Sequence, residues 1–377
     1  MDFSYSEEQN LLRDSVRKWV REHYEFERRR RRLREHGGHD PAHWAQMAGL
    51  GWLALPFAEE DGGLGGSLLD VTVVMEEFGK GLVLEPWLAT VLLAGGILRR
   101  SASPAQRATL LPGIIDGTTQ AALAFAEPDS RHAPEAVTCS ARRDGNGWQL
   151  SGRKIAVLNG DAAGFLVVVA RTSGAVRDRN GLSLFVVDAA ATGVTRHGYP
   201  TIDGFRAADL RFDDVRLDGD ALLGSEGGAW PVLEAVLDEA AVAVGAEAVG
   251  IMEALYKTTV EYTKTRKQFG VPIGSFQVLQ HRMVDMFIHH EQAKSLLLMA
   301  AIRLAGDDAV ERRKAVSAFK AYIGKAGRLL GQQAVQLHGG MGMTDELAVG
   351  HYFKRLTAID VLFGNEDFHL RRFADAA

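Results

Sequence analysis

Arg266-Lys267-Gln268-Phe269-Gly270-Val271-Pro272-Ile273, closing on Phe276-Gln277, lies where one long apolar-periodic segment stops and another begins. The first segment runs over 230–266 and the second from 275 past 304. Gly270 suits the left-handed residue that ends a helix, and Pro272 prevents that helix from continuing. Arg266 and Lys267 fall in the last turn, where positive charge favours the helix dipole. Two readings fit these residues. One is an ordinary helix end. The other is an anion site, in which the Arg266 guanidinium forks onto a diphosphate and Gln277 adds an amide one turn into the next helix.

Outward from this point the helical period holds from 230 to about 362, in segments 230–266, 275–305, 308–336 and 346–363. Long segments with few glycines predict an up-and-down four-helix bundle. Upstream, from about 120, short runs rich in Val, Leu and Phe alternate with turn residues. They fall at 123–126, 148–150, 154–158, 165–170, 182–187 and 210–217. Asp144-Gly145-Asn146-Gly147 and Asn180-Gly181 are hairpin-type turns. Strands without intervening helices predict an antiparallel barrel or sandwich. Earlier still the chain reads as helices at 7–35, 41–48, 68–78 and 86–100, with Ser6 as a cap and Gly37-Gly38 as a break. The glycine-rich turn from Leu55-Pro56 to Gly66 lacks the Lys-Ser/Thr ending and the preceding strand of a phosphate loop. The expected architecture is α+β and multidomain: an N-terminal helical domain (1–119), a β-domain (120–227) and a C-terminal helical bundle (228–377).

Composition narrows the function classes. The chain has 377 residues and a formal net charge of −5, which gives no reason to expect nucleic acid. The basic run Arg28 to Arg32 is interleaved with Glu22, Glu25, Glu27 and Glu35 and reads as a solvated helix face. Cys139 is the only cysteine, so no intramolecular disulfide and no cysteine-based metal site is expected. Met1-Asp2-Phe3-Ser4 has neither a basic n-region nor an apolar core, and no apolar run is long enough to span a membrane. A soluble cytoplasmic protein without membrane insertion is the expectation.

The second marker is Gln336-Leu337-His338-Gly339-Gly340-Met341-Gly342, at the end of the third long helix. Adjacent glycines let backbone amides approach a ligand without a Cβ in the way. A helix cap followed by a turn explains the same residues, and His338 alone reads equally well as a structural histidine. In combination, Arg266, Phe269, Gln277 and the residues from Gln336 to Gly340 supply charge, an aromatic face, amides and bare backbone. A nucleotide diphosphate requires that set.

These two motifs, with Gln280, resemble the acyl-CoA dehydrogenase family. The resemblance extends along the chain: Tyr5-Ser6-Glu7-Glu8-Gln9, the Leu55 to Gly66 turn, Glu127-Pro128, Gly152-x-Lys154 and Asn159-Gly160 are similar to its landmarks. It implies FAD as cofactor and α,β-dehydrogenation of an acyl-CoA thioester. It further implies electron-transfer flavoprotein as acceptor, and a tetramer built as a dimer of dimers through the C-terminal bundle. It implies cofactor contacts at Arg266, Phe269, Gln277, Gln336, Leu337, His338, Gly339 and Gly340, and no metal.

The departures are equally specific. Phe363 stands where the family's usual catalytic glutamate is found, and Asn365-Glu366 replaces Thr-Ser after Gly364. The alternative base position, on the first helix of the bundle, holds Ala240, followed by Ala241. Neither phenylalanine nor alanine takes a proton. Asp238, Glu239, Glu366 and Asp367 are the neighbouring carboxylates, and Glu239 lies about 100° around the helix from Ala240. Asp129-Ser130-Arg131-His132 replaces the small-residue stretch after Glu-Pro, and Ala156 and Leu158 replace the residues typical beside the flavin ring. The motif for a neighbouring subunit's FAD is intact, while the residues for a subunit's own flavin ring and base are lost. This pattern resembles the small subunit of heteromeric enzymes of the pimeloyl-CoA dehydrogenase type. It implies a large-subunit paralogue as partner and a dicarboxylyl- or medium-chain acyl-CoA as substrate. The run Gly350-His351-Tyr352-Phe353-Lys354-Arg355-Leu356 looks like that branch. A self-sufficient flavoenzyme with a displaced carboxylate, and a non-catalytic scaffold, stay open on the residues alone.

Overall fold

The computed structural model describes residues 5–36, 38–306 and 308–376. The readings made on Met1-Asp2-Phe3-Ser4 and on Gly37 lie outside them. The helices are α1 (Glu7–His23), α2 (Phe26–His36), α3 (Pro41–Gly49), α4 (Leu68–Gly81), α5 (Gly95–Ser101, preceded by a π-helical stretch Leu88–Ala94) and α6 (Pro104–Ile115). The strands follow: β1 (Ala121–Ala124), β2 (Ser140–Asp144), β3 (Gly147–Leu158), β4 (Phe165–Arg171), β5 (Leu182–Asp188), β6 (Val194–Pro200), β7 (Arg206–Leu217) and β8 (Leu222–Leu223). Then come α7 (Trp230–Thr265), the two-residue strands β9 (Lys267–Gln268) and β10 (Val271–Pro272), α8 (Gln277–Leu304), α9 (Ala309–His338), α10 (Ala348–Val361) and α11 (Glu366–Asp375).

These elements form two compact units: Met1–Arg34 with Ser67–Val83 and Ala241–Ala377, and Glu35–Gly66 with Leu84–Ala240. In the first, α8, α10 and α11 all pack on α9, and α1 packs on α4. Helices α4 and α7 cross with their backbones nearly touching. A Cβ on Gly250 would meet the Glu76 carbonyl oxygen at 1.8 Å, and one on Gly79 the Glu247 carbonyl oxygen at 2.1 Å. Arg355 of α10 forks onto buried Glu247 of α7 at 2.6 Å through Nε and Nη2.

The second unit is built on one eight-stranded sheet in the order β6-β7-β3-β2-β4-β5-β8, with β1 paired to β4. Most neighbours are antiparallel, as expected. The exceptions are the parallel pairing of β1 with β4 and a single parallel contact between β2 and β4. A strand's orientation is set by its distant hydrogen-bonding partner, so the alternation of residues within it is silent on this point. Thr90 donates to the Ala121 carbonyl at 3.0 Å, and the Trp87 indole to the Trp52 carbonyl at 3.0 Å.

Several boundaries differ from those expected. The helix predicted over 7–35 is broken after His23. There the Arg32 guanidinium lies 4.6 Å over the Tyr24 ring and bonds the His23 carbonyl at 3.2 Å, so a side chain takes over from helix amides. The basic run is therefore partly structural: Arg29 is buried and donates to the Leu82 carbonyl at 2.8 Å. The runs 148–150 and 154–158 are one strand, β3. Helix α6 was missed although Ser103 and Gln106 form a capping box with Pro104 at its start. Strands β2, β6 and β8 and helix α11 are also additional to the expected set. No helix among the described residues is long and apolar enough to cross a membrane.

Glu253 on α7 reports on the first unit. Burial works to raise its pKa, but Lys257 and the Lys80 ammonium, 2.8 Å away, outweigh it and hold the carboxyl down at about 2. A carboxyl depressed on folding stabilises fully above its ordinary pKa of 4.5, and that stability is lost as pH falls from there toward 2. Urea midpoints of Glu253→Gln should accordingly lie below the parent's at neutral pH and converge on them through this acid window. A constant gap would contradict the assignment.

Candidate functional site

Helix α7 ends at Thr265, and the chain then makes a short hairpin rather than a helix cap. Lys267 pairs with Pro272 and Gln268 with Val271. The two turn residues, Phe269 and Gly270, have φ of +55° and +80°. This corrects the expectation that Gly270 ends the helix: left-handed backbone at both central positions is what a two-residue hairpin turn of type I′ requires. The hairpin is tied to α7 by the bond from the Ile273 amide to the Arg266 carbonyl, at 2.8 Å. As a result Arg266 is held at the helix end while Phe269 projects outward, 93% exposed.

Beside the hairpin lies a cavity of about 750 Å³, lined by Tyr262, Arg266, Gln268, Phe269, Ile273, Leu279 and Arg282, with Gln336, Leu337, His338, Gly339, Gly340 and Met341. Seven of the eight expected cofactor contacts are therefore brought together. Gln277 is not in the wall. It opens α8, whose first residue has no side-chain cap, so backbone N–H groups at that end are left for other acceptors. Leu279, in the same turn, does line the cavity. His338 is buried rather than presented. Its ring stacks on Tyr262 with centroids 4.2 Å apart, its Nδ1 bonds the Ala334 carbonyl at 2.8 Å, and burial pushes its pKa down. A Cβ on Gly339 or Gly340 would meet nothing within 4 Å, so this backbone faces open space.

These residues fit the diphosphate end of a nucleotide cofactor. Among the described residues no carboxylate pairs with the Arg266 guanidinium, the cavity wall carries no acidic side chain, and bare glycine backbone stands beside it. Tyr262 and Arg282 were not anticipated. Tyr262 sits one turn before Arg266, the spacing that places two side chains on one helix face, and this was the available signal. Arg282 had no local signal at all.

The positions expected to carry a base are different in kind. Phe363 has a φ of +58°, its carbonyl accepts from His369 Nε2 at 3.0 Å, and the adjoining Gly364 carbonyl accepts from buried Lys320 at 2.8 Å. Burial lowers the Lys320 pKa to about 7. The turn is thus held firmly in a left-handed conformation, with a phenyl group where a carboxylate is usual. Ala240 is fully buried. Both oxygens of Glu239 are engaged by guanidinium groups, Arg99 at 2.5 Å and Arg100. Glu366 lies 3.4 Å from Arg328, and with exposed Asp367 it forms the first turn of α11, where acidic side chains favour the helix dipole. Each of these acids has a structural explanation.

In the β-domain, Ala156 sits at a β-bulge with φ of +51°, and its amide is taken by Asp209 at 3.1 Å. Leu158 supplies no donor. Glu127 is buried and bonds the Lys154 ammonium at 2.7 Å and the Thr138 and Cys139 amides at 2.8 and 3.0 Å. Burial works to raise its pKa, and Lys154 with these bonds prevails, holding it below the usual range.

Family models match the chain in three blocks: "Acyl-CoA dehydrogenase, N-terminal domain" over residues 6–118, the middle domain over 122–215 and the C-terminal domain over 227–377. The chain is 33% identical to acyl-CoA dehydrogenase FadE12 of Mycobacterium tuberculosis over 350 residues, 92% of this chain and 90% of the relative. Among solved structures it is similar to the Tcur3481-Tcur3483 steroid ACAD (TM-score 0.88, 29% identity, 98% of this chain and 97% of that one). It is also similar to the ChsE4-ChsE5 complex from Mycobacterium tuberculosis (TM-score 0.90, 25% identity, 100% and 98%).

The buried Glu127–Lys154 pair should behave as a structural lock. Lys154→Met strands a buried carboxylate and should cost about 3–5 kcal/mol in denaturant unfolding. Adding Glu127→Gln should recover part of that loss. Equal midpoints for the single and double variants would count against the lock.

Proposed function

The chain belongs to the acyl-CoA dehydrogenase family, and on that premise we propose that it is the base-lacking subunit of a heteromeric, FAD-dependent enzyme. The observation that carries this reading is the contrast between two sets of positions. The Arg266 cavity gathers seven of the eight expected contacts, and its wall carries no acidic side chain. The base positions hold Phe363 and Ala240, Glu239 and Glu366 are tied to arginines, and Asp367 is exposed.

In this reading Arg266 forks onto the cofactor diphosphate, the Gly339-Gly340 backbone comes close to it, and Phe269 covers an aromatic or ribose face. The chemistry expected of bound FAD is acceptance of a hydride from the acyl β-carbon. Removal of the α-proton falls to a carboxylate of a large-subunit paralogue, because no side chain at 363 or 240 of this chain exchanges a proton. Phe363 acts as an apolar wall that excludes water. Likeness to two solved structures whose names join two differently named chains supports the two-subunit reading. The steroid enzyme among them adds steroid-CoA thioesters to the medium-chain and dicarboxylyl thioesters already expected as candidate substrates. Electron-transfer flavoprotein is the acceptor to test first.

The experiment is co-expression with a paralogue that has glutamate at the position matching Phe363. The complex should be yellow, and a matching acyl-CoA should bleach it when air is excluded. The chain alone should show no acyl-CoA-dependent bleaching. Arg266→Gln in the complex should weaken FAD retention about tenfold or more, the scale of a lost charged hydrogen bond. Full turnover by this chain alone would overturn the proposal.

A further inference from the structure

The geometry points to Arg282 as a second cation of the Arg266 cavity, set to bind the cofactor diphosphate jointly with Arg266. This inference rests on the reading of that cavity as a nucleotide site. Three placements of positive charge converge there. Arg266 comes from the end of α7 and, among the described residues, has no counter-ion. Arg282 comes from the second turn of α8 and also lines the cavity. The N-terminal end of α8, uncapped by any side chain, contributes the positive end of a helix dipole.

Each placement is unfavourable by itself. A cation near a helix N-terminus lies on the unfavourable side of the helix dipole. Two guanidinium groups on one cavity wall repel each other. Among the described residues, the one side-chain bond of Arg282 goes to a neutral amide, the Gln333 oxygen at 3.3 Å, which leaves most of its five donors and its charge uncompensated. That bond runs from α8 to α9 and holds the half-buried side chain in place. With two guanidinium groups and no acidic side chain in the wall, the cavity is matched in charge to a diphosphate carrying two negative charges. A single carboxylate would neutralise only half of it.

The test uses the full-length chain dialysed free of nucleotide, with ADP, inorganic pyrophosphate and adenosine titrated calorimetrically. Arg282→Gln should weaken ADP and pyrophosphate about tenfold or more and leave adenosine unchanged. Arg282→Lys should retain part of the affinity and guards against a folding defect. Arg303→Gln, at the exposed far end of α8, controls for net charge and should match the parent. If Arg266→Gln weakens ADP and Arg282→Gln does not, this inference fails while the cavity assignment stands. If ADP does not bind, or neither arginine matters, both fail. Loosened self-association with unchanged ADP affinity in Arg282→Gln would assign the arginine to a carboxylate of a second copy and overturn the proposal.

Discussion

The backbones of α4 and α7 cross with no side chain between them, at Gly250 against the Glu76 carbonyl and at Gly79 against the Glu247 carbonyl. This contact fixes the rotation and register of α7. Everything functional on that helix inherits its position from the contact, because a helix is rigid over its length and turns 100° per residue. Tyr262 and Arg266 fall on the face toward the cavity, and Glu247 meets Arg355 inside the bundle. Gly250 permits the close approach, while Gly245 makes room for the Phe319 ring of α9, which a Cβ there would meet at 2.2 Å.

Charged groups in this protein fall into two kinds. Glu127 with Lys154, Glu247 with Arg355, and Glu239 with Arg99 and Arg100 are saturated pairs. Each ties distant parts of the chain together. Arg266 and Arg282 are the opposite: cations lining a cavity without a carboxylate. Burying a pair holds structure, whereas leaving a cation uncompensated in a concave wall holds a place for an anion. The same distinction applies to Glu239, Glu366 and Asp367, the acidic residues near the base positions. Each already serves a guanidinium or a helix end.

Much of the fold was legible because it depends on local periodicity. The long helices of the bundle, the cluster of strands between two helical regions, and the two motifs around Arg266 and Gly339-Gly340 are patterns of neighbouring residues. The losses at Phe363, Ala240, Ala156 and Leu158 were equally legible, since chemistry absent from a side chain is absent in any fold. The break between α1 and α2 was hidden because its cause, Arg32 reaching back to His23 and Tyr24, involves a side chain from the following helix. The parallel pairing of β1 with β4 was hidden because hydrogen-bond partners lie far apart in the chain.

The sequence by itself determined which chemical groups this protein owns: a guanidinium and bare glycines for an anion, and no proton acceptor at the expected base positions. Only the tertiary structure decided which of those groups meet. It turned the residues after Arg266 into a hairpin, withdrew His338 into a stack with Tyr262, left Gln277 at a helix end outside the cavity wall, and brought Arg282 to that wall. Residue identity is a property of one position, but convergence on a cavity depends on the register between helices, and that register is set by contacts distant along the chain.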